Sequence, residues 1–326
     1  MPNKKLQILV PQYKETDDII KPLLDSLAIQ QNVRMDDIGV VIVNDGTDIH
    51  LTDDFLKSYP YDIEYYLNDH RGVSATRNAC LDHSTANFVM FCDADDMFYN
   101  ACGLWMIFRE IQIGFDALIS IFVEETRNPM NGEVMYINRE MDSTFVHGKI
   151  YRRQYLMDNN IRFNPDLTIH EDSYFNCLAQ KCTTGVKYCQ SPFYLWKWRD
   201  ESVCRHDPKY ILKTYNNMLD SNTALVKELL NRNKQPDAQF YSVAMIYDAY
   251  FTMNKKEWLN QENQEYRMNT EKRFKRYFEE FKNLFQTIDE SVKAQIIMSI
   301  KNRFFQEGLL MESVTFDDWI KHIEAL

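Results

Sequence analysis

The chain has 326 residues, of which 45% are hydrophobic and 13% aromatic, with only nine glycines and nine prolines, so a disordered or low-complexity protein is excluded. The length exceeds the size at which a single hydrophobic core usually stops growing, and we therefore expect two domains. A net charge of −11 disfavours general binding to the phosphates of nucleic acid.

The first ninety residues alternate between apolar strand patterns and helical patterns. Residues 6–10 predict a buried strand that ends at Pro11, and residues 17–30 predict an amphipathic helix. Residues 38–43 predict a second apolar strand, broken by Asn44-Asp45-Gly46. The remaining elements of this part are expected to be a strand at 63–67, a helix at 74–83 and a strand at 87–92.

Strands that alternate with helices predict a mostly parallel sheet with helices on both faces, a Rossmann-like α/β architecture. In such sheets ligands bind at the carboxyl ends of the strands. Polar or turn residues follow three of the predicted strands, at 11–13, 44–45 and 93–96. We expect them to face one crevice.

The remainder of the chain has a different character. Helical patterns rich in Phe, Tyr and Leu are expected at 210–231, 237–253, 271–285 and 291–305. We therefore predict an α/β domain at 1–210 and an α-helical C-terminal domain at 211–326. The basic cluster at 272–276 has acidic neighbours at helical spacing, which favours a salt-bridged solvated face over an anion-docking surface.

Carboxylates are crowded directly after the predicted strand at 87–92, where the sequence reads Asp93-Ala94-Asp95-Asp96. Such crowding suits a hard cation, Mn²⁺ or Mg²⁺, held together with substrate phosphates. The alternative is a turn in which Asp95 or Asp96 caps a helix. The residues alone leave both readings open.

At this point the sequence resembles glycosyltransferase family 2, whose members have a GT-A fold, depend on a divalent metal and take a nucleotide-sugar donor. The similar segments are the opening strand and helix, Val43-Asn-Asp45-Gly46-Thr47, Gly72-Val-Ser-Ala-Thr-Arg77-Asn78 with Thr76 where Ala is usual, the Asp93–Asp96 stretch, Gly148-Lys-Ile-Tyr-Arg152-Arg153, Asn160-Ile-Arg-Phe163 and His170-Glu171-Asp172. These motifs extend over about residues 6 to 206 in the order found in the family.

The resemblance implies a role for each matched residue. Asp172 corresponds to the catalytic base, with Glu171 beside it, although an acidic first helical turn is the alternative for this pair. Metal ligands are expected at Asp95, Asp93 and His206. The residues expected to bind the donor, with Asp45 on the uracil base, are Pro11, Tyr13, Glu15, Asp45, Arg77, Asp93, Ala94 and Arg205.

The resemblance therefore implies an inverting enzyme that moves a hexose or N-acetylhexosamine from a UDP-sugar to a hydroxyl acceptor, most naturally a surface polysaccharide or another glycan. Alternatives are the same chemistry on a modified DNA base, a nucleotidyltransferase, and a scaffold with a degenerate transferase domain. Seven cysteines without a CxxC pair argue against a disulfide framework. With no apolar run of about 20 residues, we expect a cytoplasmic protein with peripheral membrane contact at most.

Overall fold

A computed structural model describes residues 4–139, 144–199, 209–308 and 314–326. The chain divides into two compact units, Met1–Ser202 and Val203–Leu326. Within the described residues, no helix is both long and apolar enough to cross a bilayer.

The first unit contains a seven-stranded sheet flanked by helices. Its strands are β1 (Leu6–Gln12), β2 (Ile38–Asp45), β3 (Asp62–Asn68), β4 (Phe88–Phe91), β6 (Ala117–Ser120), β9 (Lys149–Arg152) and β10 (Val186–Cys189). The helices are α1 (Asp17–Ala28), α2 (Asp53–Lys57), α3 (Val73–His83), α4 (Gly103–Ile113), α5 (Arg153–Asp158) and α6 (Glu171–Lys181).

The strand order is β10-β6-β9-β4-β1-β2-β3. All neighbouring strands run parallel except at β9, which is antiparallel to both β4 and β6. Every residue of β2 is buried, as expected for a central strand covered by helices on both faces. The mixed, mostly parallel sheet that the sequence predicted is confirmed.

A second, four-stranded sheet has the order β5-β11-β7-β8, and the sequence did not predict it. It consists of β5 (Met97–Phe98), β7 (Phe122–Arg127), β8 (Val134–Arg139) and β11 (Tyr194–Trp196). Strands β5 and β11 come from segments about a hundred residues apart. Their pairing places the turn at 93–96 beside the chain that follows β11.

The second unit is helical in its described part. Its helices are α7 (Tyr210–Asn231), α8 (Gln235–Met253), α9 (Lys256–Leu259), α10 (Gln264–Thr287), α11 (Glu290–Gln306) and α12 (Phe316–Ala325). Aromatic rings form much of the packing, with Trp258 and Trp319 both fully buried. The predicted helices are present, and α10 begins seven residues before its predicted start at 271.

The prediction that Pro11 ends the first strand was wrong, because β1 continues to Gln12. The Cys92 N–H donates to the carbonyl oxygen of Leu9, and backbone groups alternate in direction along a strand, so Pro11 also faces the β4 side. Strand β4 ends at Phe91, the register partner of Leu9. The N–H that proline lacks is therefore not needed for the sheet.

Candidate active site

A cavity of about 340 Å³ opens at the carboxyl ends of β1, β2 and β4. Its lining includes seven of the residues that the sequence predicted to bind the donor: Pro11, Tyr13, Glu15, Asp45, Arg77, Asp93 and Ala94. The predicted metal ligand Asp95 lines it as well. The structure thus brings together side chains from three strand ends, as the topology predicted.

The end of β2 forms one wall of this cavity. The Asp45 carboxylate accepts hydrogen bonds from the backbone N–H groups of Arg71 (2.8 Å) and Gly72 (3.0 Å). Gly46 has a φ of +71°, and a Cβ atom there would lie 2.2 Å from the backbone nitrogen of His70. Only glycine permits this close approach, which fixes Asp45 against the start of α3.

An aromatic pair flanks the same wall. The ring of Tyr13 stacks on His70 with 5.0 Å between centroids, and His70 Nδ1 lies 2.9 Å from Asp45 Oδ2. Glu15 holds the Tyr13 loop, because its Oε2 accepts from the backbone N–H groups of Tyr13 and Lys14. The loop after β1 is thus ordered by hydrogen bonds to its own backbone.

The three carboxylates after β4 have different surroundings. Asp93 and Asp95 are partly exposed in the cavity. Asp96 is only 1% exposed. Its carboxylate accepts hydrogen bonds from the Tyr194 hydroxyl (2.5 Å) and from the Lys197 backbone N–H (2.9 Å). Burial, together with the charges of Asp95 and Asp93, raises the pKa of Asp96 well above the usual value. Burial thus disfavours the charged form of Asp96, and its hydrogen bonds anchor β11 to the turn.

Two sets of residues here could hold a cation. Asp93, Asp96 and His147 each offer one ligand atom, and these atoms lie within 4.8 Å of one another. Asp93 and Asp95 form the other set. Asp93 Oδ1 accepts from Arg77 and Asp95 Oδ2 accepts from Arg199. Among the described residues, the second oxygen of each carboxylate is available to a ligand. The donor chemistry of both sets suits a divalent cation.

Arg77 connects the cavity to the segment that carries Asp172. Its guanidinium donates to Asp93 Oδ1 (2.8 Å) and to Glu171 Oε1 (2.7 Å), and it lies 5.3 Å from the centroid of the Phe163 ring. Burial alone would lower the pKa of Arg77, but the charges of Asp93 and Glu171 outweigh burial and raise it. The residue predicted to bind the donor is thus a buried bridge between two carboxylates.

Other residues of α3 hold the chain that precedes Asp172. The Asn78 side chain donates to the Phe163 carbonyl and accepts from the Phe163 N–H, both at 2.9 Å. The Ser74 hydroxyl donates to the Leu167 carbonyl (2.9 Å). Phe163 also stacks on Phe175 of α6, with 4.0 Å between centroids. One helix therefore positions both the cavity and the start of α6.

Asp172 lies in the first turn of α6, next to Glu171. Burial is the main cause that raises its pKa to about 7, and the negative charge of Glu171 adds to it. The charge of Arg77 and a hydrogen bond from the Ser173 N–H act in the opposite direction. A carboxylate with a pKa near neutrality is suited to accept a proton from a hydroxyl group.

Three further residues lie at this site. The sequence alone assigned no role to His147 or to Arg199, which binds Asp95 at 2.8 Å and lies 4.0 Å from Glu15. Asp96 was considered only as one of the crowded carboxylates or as a helix cap. His147 stacks on Tyr194 with 4.8 Å between centroids. Its only signal was its place just before the Gly148-Lys149 motif. The predicted residues Arg205 and His206 lie outside the described residues.

Comparison with known proteins agrees with this architecture. Residues 7–160 match the model of glycosyl transferase family 2. EpsH of Bacillus subtilis, a glycosyltransferase by name, is 24% identical over 249 residues, which are 70% of this chain and 71% of EpsH. The poly(ribitol-phosphate) β-N-acetylglucosaminyltransferase TarS of Staphylococcus aureus is 26% identical over 213 residues, 60% of this chain and 36% of TarS.

The crystal structure of S. aureus TarS 1–349 in complex with UDP-GlcNAc superposes with a TM-score of 0.64 at 19% identity, and covers 93% of this chain and 92% of that one. This likeness confirms the GT-A fold with its helical C-terminal region. Together with the family match and the cavity at the strand ends, it identifies the protein's class. The chain is a glycosyltransferase with a GT-A fold, and its residues 7–160 match the model of glycosyl transferase family 2.

Proposed function

We propose that the enzyme transfers a hexose or N-acetylhexosamine, with inversion, from a UDP-sugar to a hydroxyl group of a glycan acceptor. The observation that supports the proposal is the Arg77 bridge, which joins Asp93 of the cavity to Glu171, the neighbour of Asp172. In this proposal the bridge connects the diphosphate site to the segment that carries the proton acceptor. The complex of TarS with UDP-GlcNAc supports a UDP-sugar as the donor.

The proposed donor site uses the cavity walls. Asp45, Pro11 and the Tyr13–His70 pair would hold the nucleoside, because they combine a fixed carboxylate with stacking surface. Asp93 and Asp95 would hold Mn²⁺ or Mg²⁺, with His206 as a further expected ligand. This set is favoured over the one with Asp96, whose two oxygens already accept hydrogen bonds. A bound cation would supply the positive charge that stabilises a departing diphosphate.

Asp172 is assigned as the general base. As the acceptor oxygen bonds to the anomeric carbon, its proton passes to the Asp172 carboxylate, and the bond from that carbon to the diphosphate oxygen breaks on the opposite face. One such displacement inverts the anomeric configuration, and UDP leaves with the electron pair of the broken bond. Glu171 forms an ion pair with Arg77 and keeps the first turn of α6 in place.

A panel of UDP-sugars with and without Mn²⁺ tests the donor assignment through thermal shift and UDP release. We expect one UDP-sugar to raise the melting temperature more with the cation than without it, with GDP-mannose as the negative control. Asp95→Asn should reduce the shift to its cation-free size. Equal melting temperatures for all nucleotide sugars, together with an unchanged Asp95→Asn variant, would overturn the proposal.

A further inference from the structure

The hairpin formed by β7 and β8 presents an apolar edge strand. Within the described residues, strand β8 is the last in the order β5-β11-β7-β8, and all six of its residues are exposed. Large apolar side chains are concentrated here, with Met130 at the turn 91% exposed and Tyr136 59% exposed. A long, exposed apolar edge is a template for pairing with another strand.

The direction of the backbone groups defines which residues of β8 face outwards. The Asn128 N–H donates to the Glu133 carbonyl at 2.8 Å, so Glu133 faces β7. Because direction alternates along a strand, Met135, Ile137 and Arg139 also face β7. The N–H and C=O groups of Val134, Tyr136 and Asn138 therefore form the outer edge of the sheet.

We propose that β8 pairs with β8 of a second copy of this chain, in an antiparallel register centred on Tyr136. A two-fold axis requires that the two paired edges be self-complementary. In this register, residues whose backbone groups point away from β7 lie opposite residues of the same kind. Tyr136 lies opposite Tyr136, and Val134 lies opposite Asn138. On the β7-facing positions, Met135 lies opposite Ile137.

Charge complementarity selects this register over its neighbours. Centring on Tyr136 sets Glu133 of one copy directly opposite Arg139 of the other, twice in the dimer. Shifting the centre to Met135 or Ile137 loses both pairs, and intermediate shifts place outward groups opposite inward ones. Arg139 binds Glu124 of its own chain and remains 47% exposed, so it can reach a second carboxylate. Cross-strand pairs of opposite charge stabilise by about 0.2–1 kcal/mol each.

The interface is small. Six residues per chain bury an area at or below the low end of the range for stable protein interfaces, which begins at about 1,200 Å² in total. We therefore expect a reversible dimer with a dissociation constant of roughly micromolar order. The pairing extends the four-stranded sheet to eight strands across the two copies. It uses none of the residues that line the cavity.

Sedimentation velocity of the full chain over a concentration series tests the proposal. Wild type should shift from monomer to dimer, and Tyr136→Pro should stay monomeric with an unchanged melting temperature, because the N–H it removes points away from β7. Tyr136→Thr keeps that N–H and should still dimerise. A monomeric wild type at about 100 times the expected constant, or a dimer that survives Tyr136→Pro, would overturn the proposal.

Charge exchange tests the register itself. Glu133→Lys alone and Arg139→Glu alone should each weaken self-association, because each sets like charges opposite one another. An equimolar mixture of the two variants should recover the dimer, since every cross-strand pair is then opposite in charge. A mixture that associates no better than either variant alone contradicts the Tyr136-centred register.

Discussion

Two arginines bind the carboxylates that follow β4, and their surroundings differ. Arg77 is 6% exposed and joins Asp93 to Glu171 from within α3. Arg199 is 34% exposed and binds Asp95 from the chain after β11. One side of the cavity is therefore built on a buried charge network, and the other side on an ion pair in contact with water.

This difference in exposure gives the two arginines different roles, because Arg77 holds a fixed position and Arg199 can change its partner. If a buried arginine between two carboxylates moved away, both carboxylates would be left buried without a counter-ion, at a high cost in free energy. Arg77 therefore fixes the distance between the cavity and α6. A partly hydrated pair such as Arg199 and Asp95 stabilises the fold little and can exchange partners at low cost. Substitutions at four residues probe this contrast, and the largest effect on stability is expected on the buried side.

Arg77→Met keeps the side-chain volume but leaves Asp93 and Glu171 without their counter-ion. We expect the free energy of unfolding to fall by about 3–5 kcal/mol, measured by urea denaturation. Arg77→Lys keeps the positive charge but cannot donate to both carboxylates as the guanidinium does, and its free energy of unfolding should fall by less. A loss below about 1 kcal/mol for Arg77→Met would show that the bridge is not a structural requirement.

Asp95→Asn removes one of the proposed cation ligands on the open side. We expect affinity for the UDP-sugar in the presence of Mn²⁺ to fall about 10–100-fold, equivalent to about 1.4–2.7 kcal/mol. Calorimetry with and without the cation measures it. The metal-independent part of binding should be unchanged, and an equal loss in both conditions would contradict a role for Asp95 in holding the cation.

Asp172→Asn should raise stability at neutral and alkaline pH. Burial raises the pKa of Asp172 from 3.8 to about 7, so the native state binds more protons than the unfolded state between those values. Stability therefore falls as pH rises through this window, and the amide does not titrate. We expect the variant to be more stable by about 1 kcal/mol at roughly pH 8 and by less at about pH 5. The same gain at both values would contradict the shifted pKa.

Arg199→Gln is the matched control for Arg77 on the open side. In its pair with Asp95 the two side chains are 34% and 27% exposed, so the expected loss of stability is about 0–1 kcal/mol. Thermal denaturation of this variant beside Arg77→Met gives the comparison directly. If Arg199→Gln and Arg77→Met lost the same amount of stability, the distinction between a fixed and an adaptable side of the cavity would be contradicted.

Much of the fold followed from local patterns in the sequence. The apolar runs of β1, β2 and β4 and the turn signals at their ends suffice to predict Asp45 and Asp93 at one edge of a parallel sheet. That inference needs only strand direction and the alternation of strands with helices. The helices of the second unit were equally readable, because their apolar spacing is periodic.

Features that depend on contacts distant in sequence were not predictable in this way. The antiparallel insertion of β9 and the pairing of β5 with β11 join segments with no local signal of their partners. For the same reason the sequence could not show that Asp96 is buried under Tyr194, or that Arg77 spans from Asp93 to Glu171. The roles of Asp172 and Asp95 remain predictions.

The most direct test of the account is the transfer rate of Asp172→Asn beside its donor affinity. We predict that kcat/KM falls by about 100–10,000-fold while the UDP-sugar binds as in wild type, and that wild-type kcat/KM rises with pH through about 7 as the base loses its proton. Transfer at near wild-type rate by this variant, or a loss of donor binding that accounts for the fall, would contradict Asp172 as the base.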